Sequence, residues 1–250
     1  MDGQPVLRDV PAAGRDCVEA GCGFKAQLPR RETREKTQLK ILGKHEETMS
    51  SEDTCRAPRR AEIIRKTRET DIFLDLGLDG CGQGEIDSGV PFLDHMLTLF
   101  AVHGFFDLKV TATGDTMVDD HHSVEDLGIC LGRALSSSLG ALQGIARYGS
   151  CHLPMDETLV RVVLDVCNRP YLHWGVAVRE EKLGTFDTAL AKEFFRAVAQ
   201  HGGLTLHIDL LHGENGHHII EAIFKGFGRA LKAAVTPIAL AGPLSSKGSL

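Results

Sequence analysis

Residues 119–126 read DDHHSVED, and residues 215–222 read NGHHIIEA. Each stretch holds two adjacent histidines with a glutamate four residues after the first. In a helix, positions i and i+4 share a face. His121 with Glu125, and His217 with Glu221, would therefore converge on one ion. The neighbouring histidine is turned by roughly 100°, the step of one helical residue, so His122 and His218 would address a different ion. Adjacent histidines thus suit a two-metal arrangement in which each helix contributes to both ions. Imidazole and carboxylate donors without thiolate favour Mn, Fe or Zn. A single HHxxE is also what a solvated or capped helix start looks like; the second copy separates the two readings.

The duplication extends beyond the motif. HHSVEDLGICLGRAL (121–135) lies over HHIIEAIFKGFGRAL (217–231), and upstream AVHG (101–104) lies over AQHG (199–202). The alignment sets His95 opposite Glu193, each eight residues before the histidine of its His-Gly. Each would add one ligand from the preceding helix. The set then reaches eight side chains for two ions, with positions open for substrate. Asp126 also lies four residues after His122, but its repeat partner is Ala222. It therefore reads as a supporting or structural helix residue and not a ligand.

These side chains need elements to hold them. AEIIRKTRETDIFLDLGLDG (61–80) alternates apolar and polar residues and ends in turn residues, which predicts strands and a hairpin. Helical spacing follows at 89–104, a strand at 105–115 and a long helix at 121–140. Strand pattern returns at 159–178, then a helix at 188–202, a strand at 203–210 and a helix at 217–235. The order strands, helix, strand, helix is stated twice. It predicts an α+β fold of two βαβ-type half-domains, about 60–150 and 151–250, related by a pseudo-twofold axis, with two sheets flanking a helical layer.

Residues 1–55 differ, mixing both charge signs with little apolar pattern, as in RRETREKTQLK (30–40). They read as a disordered or weakly helical extension before a single domain at 56–250. They lack the apolar core of a secretory signal, and their acidic residues argue against a transit peptide. Met49 is a candidate start.

The whole chain carries a net charge of −6 and 42% hydrophobic residues. Nothing implies a basic face for nucleic acid, and no apolar run approaches a membrane span of roughly 18 residues. Seven scattered cysteines without a CxxC pair suggest neither a disulfide framework nor a zinc ribbon. A reducing cytoplasm is the expected compartment. Cations nevertheless gather at loops and element ends: Arg147 in GIARYG, Arg169 in CNRPY, Lys225 after the second His-His, and Lys247 beside Ser245 and Ser246. Arginine and lysine recognise phosphate through charge-assisted hydrogen bonds. Glu69 in TRET reads either as a catalytic carboxylate or as a strand-end charge.

FLDHML (92–97), GDTMVDDHHSVEDLGICLG (114–132), GIARYG (144–149), PMDE (154–157), NRPY (168–171), TLHI (205–208), GENGHHIIEAIFK (213–225) and LSSKGSL (244–250) together resemble imidazoleglycerol-phosphate dehydratase. The resemblance runs from about Ala61 to Leu250. It implies a hydro-lyase of histidine biosynthesis that turns imidazole glycerol phosphate into imidazole acetol phosphate and water. It implies two Mn2+ ions per active site and a 24-subunit shell with active sites between subunits. Arg147, Arg169, Lys225, Ser246 and Lys247 match the family's phosphate and substrate contacts, and Glu69 and Glu221 are the candidates for the proton shuttle. Two positions depart from the pattern. Glu193 stands where some members have histidine, and Thr98-Leu99 stands where members often have glutamine. The runner-up is another two-metal lyase or hydrolase on a small phosphorylated metabolite. From a different class, a metal store or structural shell would use the same ligands without the basic residues.

Overall fold

The computed structural model describes residues 59–239, 242, 244 and 245. The extension at 1–55, the candidate start Met49 and the candidate substrate residues Ser246 and Lys247 lie outside the described residues. The first half comprises β1 (Arg60–Lys66), β2 (Thr70–Gly77), β3 (Gly84–Asp87), α1 (Pro91–Gly104), β4 (Asp107–Gly114) and α2 (His121–Leu139). The second repeats it with β5 (Tyr148–Met155), β6 (Thr158–Val166), β7 (Tyr171–Gly175), α3 (Ala189–Gly202), β10 (Leu204–His212) and α4 (Gly216–Val235). A two-stranded insert, β8 (Lys182–Leu183) and β9 (Phe186–Asp187), precedes α3.

The sheets have matching orders, β1-β2-β4-β3 and β5-β6-β10-β7. In each, the last strand pairs parallel with the central one and the other pairings are antiparallel. β3 and β5 are elements that the sequence pattern did not reveal. Both are edge strands; β3 has four residues, and β5 contains Pro154, which an edge tolerates because it demands fewer ladder donors.

Alternation in the strands decides which face is covered. Ile72, Leu74 and Leu76 of β2, and Val160, Val162 and Leu164 of β6, are buried, as are Leu204, Leu206 and Ile208 of β10. Helix α2 covers β1 and β2, α4 covers β5 and β6, α1 meets β3, and α3 meets β7 and β10. The helices then pack across the halves, α1 against α4 and α2 against α3. Phe100 of α1 stacks on Phe227 of α4 at 5.5 Å between ring centroids. Phe195 of α3 meets Phe224 of α4 at 4.8 Å.

Glycines set how close these crossings come. A Cβ on Gly228 would lie 2.7 Å from the Phe100 carbonyl oxygen, and one on Gly132 would lie 2.8 Å from the Val198 carbonyl oxygen. Gly132 and Gly228 are repeat equivalents in the shared Gly-Arg-Ala-Leu. The partner is backbone and cannot swing aside as a side chain would. Gly228→Ala and Gly132→Ala are each expected to lower stability by about 1–3 kcal/mol, the cost of overpacking. Denaturant unfolding checks this against Gly84→Ala, where the added Cβ meets the Ile86 Cδ1 at an ordinary 3.5 Å.

Candidate metal and active site

Helix α1 starts with Pro91 in its first turn, where the missing N–H costs nothing. Asp94 Oδ1 accepts the Ser88 N–H at 2.8 Å and ties the entering chain to that turn. His95 follows on the next turn. Helix α4 is capped by Asn215, whose side chain accepts the N–H groups of His217 at 2.9 Å and His218 at 3.3 Å. The NG of NGHHIIEA thus makes the helix start that places the histidines.

The crossing of α1 on α4 brings His95, His217 and Glu221 together, with one donor atom from each within 4.8 Å of the others. Glu221 Oε2 lies 3.1 Å from His217 Nε2 and 3.3 Å from His95 Nε2. Its other oxygen lies 2.5 Å from Lys225 Nζ. Burial pushes the Glu221 carboxyl up, but the Lys225 ammonium together with His217 and His95 outweighs it and holds the carboxyl below its ordinary value. Phe92 presents an edge contact to His217 at 5.4 Å between centroids and meets the tilted ring of Phe186 of β9 at 4.8 Å. Among the described residues this is the one group of three or more such side chains with metal-binding spacing.

The repeat-related group is looser. His121 Nε2 and Glu125 Oε2 are 3.6 Å apart. Glu193, at the same position of α3 as His95 in α1, faces a cleft of about 490 Å³ that His121 also lines. Its carboxylate pairs with Arg196 at 2.7 Å instead. Both groups join the halves: His95 meets the histidine helix of the second half, and Glu193 faces the histidine helix of the first. Sequence order suggested His95 beside α2 and Glu193 beside α4; the crossing of the helices reverses that.

The outer histidines of the two pairs point elsewhere. His122 Nδ1 lies 3.0 Å from Asp115 Oδ2, and His218 Nδ1 lies 2.8 Å from Glu157 Oε2. Each carboxylate raises its histidine's pKa, and Glu157 is held down to about 2, chiefly by His218. Neither Asp115 nor Glu157 stood out in the sequence. The available signal for Glu157 was the repeat, since Glu157-Thr158 opens β6 as Glu69-Thr70 opens β2. Glu69 sits in the β1–β2 turn, where its carbonyl accepts the Asp115 N–H at 3.1 Å. Its carboxylate has no hydrogen-bond or ion-pair partner among the described residues.

Three of the candidate cations divide between two places. Lys225 belongs to the Glu221 group. Arg147 is buried and bidentate on Asp165, at 2.7 and 3.0 Å, and donates to the Leu244 carbonyl at 2.6 Å. Arg169 is exposed, 3.7 Å from Asp165. Asp126 is buried between Arg65, at 2.8 Å, and the Thr70 hydroxyl, which donates to it at 2.5 Å. It fastens α2 to the β1–β2 hairpin.

Residues 88–231 match the family model described as imidazoleglycerol-phosphate dehydratase. The chain belongs to the imidazoleglycerol-phosphate dehydratase family. The family's members are hydro-lyases of histidine biosynthesis, and this chain is an enzyme of that class. It is 64% identical over 192 residues to the imidazoleglycerol-phosphate dehydratase of Desulfotalea psychrophila, covering 77% of this chain and 96% of that protein. It is 55% identical over 177 residues to that of Ruegeria pomeroyi, covering 71% and 91%. The crystal structure of the Staphylococcus aureus family member superposes with a TM-score of 0.65 at 45% identity, covering 71% of this chain and 99% of that one. That of the Pyrococcus furiosus member, in complex with (S)-C348, gives 0.67 at 40% identity, covering 75% and 100%. No helix among the described residues is long and apolar enough to cross a membrane.

Removing Asp126 would leave Arg65 and Thr70 facing a partly buried void. Asp126→Ala is expected to cost about 2–3 kcal/mol, the range for lost hydrogen bonds to a charged group. Urea unfolding of the metal-free protein measures it, and an unchanged midpoint would contradict the fastening role.

Proposed function

We propose that this chain dehydrates imidazole glycerol phosphate to imidazole acetol phosphate at a site holding two Mn2+ ions. The convergence of His95, His217 and Glu221, in a member of this family, carries the reading. Three donors of nitrogen and carboxylate oxygen, with none from sulfur, fit a borderline or hard divalent ion and leave positions for substrate. His121, Glu125 and Glu193 would form the repeat-related set, with Glu193 leaving Arg196 for the ion; His122 and His218 would supply the remaining donors. Bound metal would supply Lewis acidity toward the substrate's imidazole and hydroxyl groups as the C–O bond breaks.

The protein's own groups then divide the remaining work. The proton to be removed sits on a carbon that is not acidic by itself, so a positioned carboxylate must take it. Glu69 fits that role better than Glu221. Glu221 is occupied by His217, His95 and Lys225, whereas the Glu69 carboxylate is uncommitted. Arg169 offers an exposed guanidinium to the phosphate. Arg147 anchors the Leu244 carbonyl, just before Ser246 and Lys247 in sequence.

One chain does not bring these parts together. His218 meets Glu157 just before β6, and Asp165 is near the end of that strand, seven residues beyond Thr158; at about 3.3 Å per residue that is roughly 23 Å. His217 starts α4, and the Ala234 carbonyl that accepts the Arg147 N–H is near its end; at 1.5 Å per residue that is roughly 26 Å. Both spans exceed a small phosphorylated substrate. They support active sites shared between copies of the chain, in the 24-subunit shell that the family resemblance implies.

Purified protein with imidazole glycerol phosphate is expected to form the ketone product when Mn2+ is present and to lose activity on chelation. No metal-dependent product would overturn the reading. Glu69→Gln is expected to lower kcat by roughly 10²–10⁴-fold, the usual worth of a positioned general base. A further check addresses the shared site. His217→Ala and Arg169→Ala proteins, each inactive alone, are expected to regain activity when co-assembled, because some interfaces then hold one intact site. Persistent inactivity of the mixed assembly would place the metal and phosphate groups of each site on a single chain.

A further inference from the structure

The two His-His pairs use their ring nitrogens differently. The inner histidines, His121 and His217, turn Nε2 toward the glutamate four residues on. The outer ones, His122 and His218, instead have Nδ1 engaged by a carboxylate. An imidazole that donates Nδ1–H to a carboxylate carries its lone pair on Nε2, so the partner selects which nitrogen binds metal. We infer that Asp115 and Glu157 are positioning residues that make Nε2 the metal donor of His122 and His218, and that Glu157 is thereby withdrawn from the proton-transfer role open to its repeat partner Glu69.

Both carboxylates are held in place by contacts within the protein. Glu157 Oε1 accepts the N–H groups of Asn215 at 2.9 Å and Glu214 at 3.3 Å, and the Thr158 hydroxyl at 3.2 Å. Its Oε2 is left for His218, 2.8 Å away. Asp115 is held through its own backbone, donating to the Glu69 carbonyl at 3.1 Å and accepting from Val118 at 2.8 Å. Among the described residues His218 Nε2 has a single long polar contact of 3.8 Å, to exposed Asp156, so little there competes for that lone pair.

The two hairpins make the division of labour visible. Glu69 and Glu157 occupy equivalent turn positions, ahead of Thr70 and Thr158. In the second half the turn glutamate orients the outer histidine. In the first half Asp115, from the loop after β4, has taken over that task, and the turn glutamate has no hydrogen bond or ion pair at its carboxylate among the described residues. Among the described residues the loop after β10 sends no carboxylate to His218, whose acidic partners come from the β5–β6 hairpin, so the duplicated halves reach the same histidine orientation by different residues.

The inference rests on the two-metal reading, and binding of Mn2+ to the full chain tests it without reference to turnover. Wild-type protein that binds no Mn2+ would sink the two-metal reading itself. Given wild-type binding, Glu157→Gln is expected to weaken one class of ion by roughly 10–100-fold, the usual cost of losing such a partner. Asp115→Asn is expected to do the same to the other class. Glu69→Gln removes a charge near His122 but no hydrogen bond to it, and should weaken binding by much less than either of these. Co2+-loaded Glu157→Gln should also show an altered visible ligand-field spectrum, which a distant loss of stability would not produce. Unchanged affinity and spectrum in Glu157→Gln would overturn the inference, as would equal weakening by Glu69→Gln. Should Glu157→Gln fail to fold, Asp115→Asn decides, because among the described residues the Asp115 carboxylate does not hold the chain entering α4 as Glu157 does through Glu214 and Asn215; wild-type affinity there overturns it equally.

Discussion

Everything that makes a site in this protein depends on how closely α1 can cross α4, and α2 cross α3. At both crossings glycine lets one helix backbone approach a carbonyl of the other, Gly228 on Phe100 and Gly132 on Val198. Dispersion and burial favour such contact, and the Phe100–Phe227 stack fills the space beside it. The functional consequence appears a turn or two away. Because the two helices of a crossing come from different halves, the fifth residue of α1 faces the first turns of α4. Neither half alone would gather three donors around one point.

Electrostatics follows from that packing. Glu221 is 7% exposed, and a carboxylate so enclosed is costly unless it is paired. Three donors surround it: His95, His217 and Lys225. The group is thus held anionic by neighbours that come partly from its own helix, at i−4 and i+4, and partly from the other half. Glu69 has the opposite setting, a turn position where its carboxylate has no hydrogen-bond or ion-pair partner among the described residues. Two glutamates in one protein thus have opposite settings, one enclosed by cationic and imidazole partners and one at an open turn, which suits them to the different tasks proposed for them. Asp126 shows a third setting, tied to Arg65 and Thr70, where it serves the attachment of α2 to the hairpin.

Much of this was legible before any coordinates. The repeated HHxxE, its Gly-Arg-Ala-Leu tail and the His-Gly upstream identified the duplication, and helical periodicity assigned the four helices. Comparison of Asp126 with Ala222 separated it from the ligand set. Edge strands β3 and β5 were missed, because a four-residue strand and one carrying Pro154 present little alternation. Asp115 and Glu157 were missed because their partners are defined by where a loop and a turn come to rest beside a helix start.

Local order along the chain determined which residues are candidates for the chemistry: histidine and glutamate spacing, Asn215 as a helix cap and the alternation of the strands are all properties of neighbours in sequence. The tertiary structure alone decided which of those residues meet. His95 joins His217 and Glu221, some 120 residues away in the chain, because helices from opposite halves cross at glycines. Arg147 turns onto Asp165 because the end of β6 brings a carboxylate to it. Pairings at such separations are set by packing of whole faces, and the short-range pattern of a sequence carries no record of which face will meet which.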